Sequence, residues 1–112
     1  MTNSTRTIGG KVHYLPRIGL IRNSTLYVIL EDVSRADVPA KKLASQIIPN
    51  AEVAGLSFNL EYDDVDVIPG HSYAISAHIK TDDRLIFTTT ERHSVELGVD
   101  YLQPLEILVH LV

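Results

Sequence analysis

Several groups of side chains could do chemistry if the fold gathered them. Glu61, Asp63, Asp64 and Asp66 crowd four carboxylates into six residues. A calcium loop needs such oxygens to converge, usually with a glycine turn and a closing glutamate. Asp64-x-Asp66 begins that pattern, but Ile68 stands at the next ligand position and no glycine or glutamate follows in register. A solvated turn is the expectation there. His13, His78 and His110 each fall opposite the main apolar set of their segment. If two of those segments were neighbouring strands, two imidazoles could meet across the ladder and hold a metal. No tight ligand spacing supports that, and outward-facing surface histidines are expected instead. His71 sits in a turn and His93 before a weak strand, neither within a motif. Ser34 lies near Asp37, but no G-x-S-x-G elbow frames it. The chain also lacks a phosphate loop and a dinucleotide fingerprint. Tyr14, Tyr62 and Tyr73 occupy inward positions. They are expected to bury their rings and leave the hydroxyl at the rim, rather than form a sugar-stacking platform.

The elements that must carry these residues are strands, because apolar side chains recur with a period of two. Ile8, Gly10, Val12 and Tyr14 share one face of a first segment. Leu26, Val28 and Leu30 share a face of a second, and Tyr27 and Ile29 make its other face apolar too. That segment is expected to be central and buried on both sides. Leu56, Phe58, Leu60 and Tyr62 alternate with polar residues, and Tyr73, Ile75, Ala77 and Ile79 alternate with Ala74, Ser76, His78 and Lys80. Leu85, Phe87 and Thr89 form another face, and Leu105, Ile107, Val109 and Leu111 a last one, with a short strand near Val95 and Leu97. Pro16–Gly19, Pro49-Asn50, Pro69-Gly70, Asp82-Asp83 and Gly98–Pro104 supply the turns. This spacing predicts an all-β fold, a two-layer antiparallel sandwich of about seven or eight strands. Facing residues of an antiparallel pair share a side, so Ile79 is expected opposite Leu85 or Phe87 and not Ile86; placing it opposite Leu85 leaves Thr81-Asp82-Asp83 as a three-residue hairpin loop. Residues 41–48 fit either a short helix, with Leu43, Ala44, Ile47 and Ile48 at helical spacing, or a strand.

Composition narrows the function classes. A chain of 112 residues fits one domain, expected over residues 8–112 behind a flexible polar lead of residues 1–7. With no cysteine it has no disulfide framework, thiol nucleophile or cysteine zinc site. A net charge of −4 with scattered basic residues argues against nucleic acid, which needs a basic face. The longest apolar stretch, Leu105 to Val112, is interrupted by Glu106 and His110 and is too short to span a membrane. No apolar run of signal-peptide length is present. The chain is therefore expected to be cytosolic if Met1 is the genuine start, or else a domain trimmed to its mature form.

Four blocks in order give the chain a resemblance. They are Leu30-Glu31-Asp32-Val33-Ser34-Arg35-Ala36-Asp37-Val38-Pro39-Ala40, Phe58-Asn59-Leu60-Glu61-Tyr62-Asp63, Ile68-Pro69-Gly70-His71-Ser72-Tyr73-Ala74-Ile75-Ser76-Ala77 and Leu85-Ile86-Phe87-Thr88-Thr89. Together they resemble the YbaY/YscW family of small bacterial lipoproteins, from about Ile8 to the C-terminus. The resemblance implies a compact β-sandwich, usually tethered to the outer membrane by a lipidated cysteine. One branch contains type III secretion pilotins, which chaperone a ring-forming secretin. It also implies a strand over Lys41–Ile48. The anchoring cysteine is missing from this sequence, so anchoring does not carry over.

The matching residues Asp32, Ser34, Arg35, Asp37, Pro39, Tyr62, Pro69, Tyr73 and Phe87 are expected to be architectural. Asp and Ser side chains can bond nearby backbone amides, and Arg can fork onto a carboxylate. No catalytic residue, metal site or cofactor is implied. The leading expectation is a non-enzymatic envelope domain that binds a protein partner, such as an outer-membrane secretin, through a sheet edge or an apolar groove. Leu108 and Val112 are candidate exposed apolar positions. The alternative is a small-molecule, glycan or metal-binding module built on the tyrosines or histidines.

Overall fold

The computed structural model describes residues 5–35, 37–99 and 103–112. Nine strands build it: β1 (Thr5–His13), β2 (Ser24–Asp32), β3 (Lys41–Ile48), β4 (Ser57–Asp63), β5 (Tyr73–Thr81), β6 (Arg84–Thr88), β7 (His93–Val95), β8 (Leu105–Leu108) and β9 (His110–Leu111). A one-turn helix, α1 (Ala51–Ala54), separates β3 from β4, and a 3-10 turn covers Asp64–Asp66. The fold is an all-β sandwich. One sheet runs β4-β1-β8, and the other runs β3-β2-β5-β6-β9 with β7 also paired to β5. All pairs are antiparallel except β1 with β8.

Alternation places the core between the sheets. Ile8 and Val12 of β1, Leu26, Val28 and Leu30 of β2, Phe58, Leu60 and Tyr62 of β4, Ile75, Ala77 and Ile79 of β5, and Phe87 of β6 are all buried. Gly10 is required where β1 passes β8. A Cβ there would lie 2.5 Å from the Leu105 carbonyl oxygen and 2.7 Å from the Phe58 ring.

Three expectations change. Thr5, Arg6 and Thr7, expected in a flexible lead over residues 1–7, pair with Asp63, Tyr62 and Glu61; residues 1–4 lie outside the described residues. The β5–β6 hairpin sets Ile79 against Phe87 and Lys80 against Leu85, with a bulge between them. Its turn is the two residues Asp82 and Asp83, at φ 48° and 68°. A two-residue turn needs positive φ at both positions, and short acidic side chains tolerate that. The bulge absorbs the odd residue and leaves Phe87 in the core. Finally, β2 is central, but Tyr27 and Ile29 are only half-buried, because among the described residues no second layer covers the outer face of its sheet. Residues 41–48 form a strand, as the resemblance implies.

Candidate partner-binding surface

The two longest resemblance blocks meet in space at one end of β2. Asp32 faces Tyr73 in the β2–β5 ladder, so the residues just beyond each lie side by side. Ile68-Pro69-Gly70-His71 closes a turn, with the His71 amide donating to the Ile68 carbonyl at 3.1 Å. Pro69 suits its first corner, and Gly70 at φ 85° takes the second. The turn is clasped to β2 by side chains. Asp32 Oδ1 accepts from the Ser34 amide (3.0 Å) and hydroxyl (2.6 Å), and Asp32 Oδ2 meets His71 Nδ1 at 2.6 Å. Ser34 Oγ accepts from the Ser72 amide at 2.7 Å, and the Val33 amide donates to the Ser72 carbonyl. The His71 hydrogen bond, then those from Ser34, hold the Asp32 carboxyl down to about 2.

The inward tyrosines brace loops from the core. Tyr73 Oη accepts from the Ile68 amide at 2.7 Å, and Tyr62 Oη from the Gly98 amide at 2.9 Å. Tyr14 stacks on Phe87 at 4.5 Å between centroids and donates its hydroxyl to the Ile18 carbonyl at 2.6 Å. Arg35, Asp37 and Pro39 stand exposed beyond the clasp, and no ion pair among the described residues involves Arg35. Sequence reading missed His71 as the partner of Asp32. The register Asp32↔Tyr73 was the signal that could have found it, because it brings the segment before Tyr73 alongside Asp32.

In the acidic segment, Asp64 takes the Arg6 guanidinium on both carboxylate oxygens, at 2.8 and 3.0 Å, and Asp63 accepts from the Val65 amide. The histidines do not converge: His13 lies in the three-stranded sheet, and His78 and His110 flank Thr88 in the other.

The outer face of the six-stranded sheet holds what the clasp does not use. Facing residues in antiparallel ladders share a side. Ile47 faces Tyr27, Tyr27 faces His78, His78 faces Thr88, and Thr88 faces His110, making one row across five strands. A second row runs Ser45, Ile29, Ser76. Tyr27 and His78 stack at 4.8 Å with planes 16° apart, and the Lys80 ammonium lies 5.7 Å from the Tyr27 ring centre. Partial burial, and then the Lys80 charge, lower the His78 pKa. Ile47 is 60% exposed and abuts half-buried Tyr27 and Ile29, forming a short apolar strip bordered by hydroxyls.

The sheet edges are less open. Gln46 Oε1 of β3 accepts from the Asn59 amide of β4 at 2.7 Å, so a side chain closes the seam between the two sheets. Lys41 and Lys42 are exposed on edge strand β3, where charge discourages pairing with another chain. On the other side, β8 and β9 are joined through Val109 and pass from one sheet to the other. Leu108 is half-buried and Val112 is exposed at the end of that crossing.

Comparison with known proteins adds three findings. The family model described as "Type III secretion system lipoprotein chaperone (YscW)" matches residues 3–100. An Escherichia coli (strain K12) protein described as "Uncharacterized lipoprotein YbaY" is 32% identical over 83 residues, which is 73% of this chain. The match spans 44% of that protein's length. A solved structure, "Structure of an alternative pilotin from the type II secretion system of Vibrio cholerae", is 34% identical and superposes with a TM-score of 0.86. That likeness covers 97% of this chain and 98% of the other. Among the described residues, no helix is long and apolar enough to cross a membrane.

Proposed function

The chain belongs to the YscW family of type III secretion system lipoprotein chaperones, and from that premise we propose that it is a non-enzymatic periplasmic pilotin domain. Its partner is an outer-membrane secretin, held on the outer face of the six-stranded sheet. The carrying observation is the likeness to a type II secretion pilotin over nearly the whole length of both chains. The family description names a chaperone and no reaction. The strip of Ile47, Tyr27 and Ile29 supports the choice of face, since partner segments bury apolar anchors within a polar rim. Closure of the β3–β4 seam by Gln46 favours this face over strand addition at that seam. The architectural roles of Asp32, Ser34, Tyr62, Pro69, Tyr73 and Phe87 belong to the same reading, because they shape the scaffold and leave the face to the partner.

Calorimetric titration of the purified chain against the secretin from the same genome tests this. Saturable binding that is lost on replacing Ile47→Glu together with Tyr27→Ser, with a cooperative melt retained and lowered by only several degrees, is the expected result. No binding by the unmodified chain, or binding that ignores both substitutions, overturns the reading.

A further inference from the structure

The loop from β1 to β2 concentrates features that neither the core nor the partner face explains. Residues 14–23 read Tyr-Leu-Pro-Arg-Ile-Gly-Leu-Ile-Arg-Asn, with two arginines and no carboxylate in a chain of net charge −4. Leu15 is 71% exposed, Ile18 48% and Ile21 62%. Scattered single aliphatics on a surface are ordinary, whereas three within seven residues are not.

The loop is also held in place. Leu20 packs against the core. The Tyr14 hydroxyl takes the Ile18 carbonyl, and the Ser24 hydroxyl takes the Ile21 carbonyl at 2.6 Å. Glu52 of α1 accepts from the amides of Asn23 and Ser24. Pinned at these points, the loop presents Leu15, Ile18 and Ile21 to solvent. Val53, next to Glu52, adds another exposed aliphatic beside its base.

We propose that this loop is a membrane-surface contact that inserts Leu15, Ile18 and Ile21 among lipids while Arg17 and Arg22 meet anionic headgroups. Arginine beside protruding aliphatics suits a bilayer interface, where the stem lies in the apolar zone and the guanidinium stays at the phosphates. A protein hot spot would instead offer a pocket or an aromatic anchor, and the ring of Tyr14 is already spent on Phe87. Nearby negative charges limit the attraction. Glu52 is turned onto the loop's own amides, but Asp82 and Asp83 stand exposed on the hairpin that shares a cleft with Asn23. Charge alone therefore binds weakly, and the aliphatics are required.

The chain has no tryptophan, so Ile18→Trp provides a single reporter. With vesicles of phosphatidylethanolamine and phosphatidylglycerol its emission shifts to the blue, and the unmodified chain co-sediments. Vesicles of phosphatidylethanolamine and phosphatidylcholine bind less. Arg17→Gln and Arg22→Gln each weaken binding roughly five-fold. Leu15→Ser, Ile18→Ser and Ile21→Ser combined abolish it without lowering the melting temperature. An absent shift, undiminished binding by the triple variant, or equal binding to both vesicle types overturns the proposal. So does a triple variant that loses the secretin while the unmodified chain ignores vesicles, because the loop then belongs to a protein interface. Secretin titration of the same variants separates this outcome from failure of the pilotin reading.

Discussion

β2 ends in a clasp and carries an open strip, and the two regions use side chains in opposite ways. At the clasp, Asp32 and Ser34 direct their oxygens to Ser34, His71 and Ser72. Among the described residues, no buried side-chain nitrogen or oxygen lacks a hydrogen-bond partner either. On the strip, Ile47, Tyr27 and Ile29 keep apolar surface toward solvent. A satisfied network has little left to offer a ligand, whereas uncovered apolar area gains free energy when covered. On the proposed reading, the clasp residues of the Leu30–Ala40 block belong to the scaffold, and residues outside that block meet the partner.

The comparison breaks if a scaffold residue proves to govern binding. Phe87 gives the largest effect. It is 1% exposed, faces Ile79 across the ladder and stacks on Tyr14. Phe87→Ala is expected to cost about 3–5 kcal/mol of unfolding free energy in urea titration. The fraction that remains folded should bind the partner with normal affinity. Asp32→Ala comes next. It strips hydrogen bonds from Ser34 and His71 together, at about 2–3 kcal/mol for bonds to a charged acceptor. Loss of secretin affinity without loss of stability in this variant would move the clasp into the binding site.

On the strip the signs reverse. Tyr27→Ala is expected to weaken partner binding roughly 30-fold, the factor that about 2 kcal/mol gives for an aromatic anchor. Its stability loss stays near 1 kcal/mol, because the ring is only half-buried and gives up its stack on His78. A large fall in melting temperature with unchanged binding would make Tyr27 a structural residue.

Much of the scaffold was readable because burial on one face stamps a period of two on the chain. Leu26, Val28 and Leu30 announce their face, and so do Phe58, Leu60 and Tyr62. What escaped depends on pairing between distant segments. Of the two partners open to Ile79, the ladder takes Phe87, and the three-residue loop gives way to a two-residue turn with a bulge, because two acidic residues can form that turn without glycine. His71 looked like an ordinary turn residue until the β2–β5 register set it against Asp32. Tyr27 and Ile29 read as buried because their strand is apolar on both faces; their partial exposure shows only in the folded sheet.

The smallest effect, and the sharpest test of the clasp, is its response to acid. The Asp32 carboxyl is held from the usual 3.8 down to about 2, first by His71 and then by Ser34. A carboxyl depressed in the folded state binds its proton more readily when unfolded. Its contribution is therefore full above the unfolded value and is lost as pH falls through the folded one. Between about pH 4 and pH 2 the unmodified chain should lose stability that Asp32→Asn never had. The gap between their melting temperatures then narrows as pH falls below about 4. Solvent near this partly accessible pair screens the interaction, so the closing amounts to roughly 1 kcal/mol or less. Ile47, Tyr27 and Ile29 carry no charge, although Glu31 follows them on the same face of β2; in Asp32→Asn, any acid response of partner affinity in a chain that remains folded should therefore persist unchanged. If that response disappears in Asp32→Asn, clasp and strip act as one site, and the division between them fails.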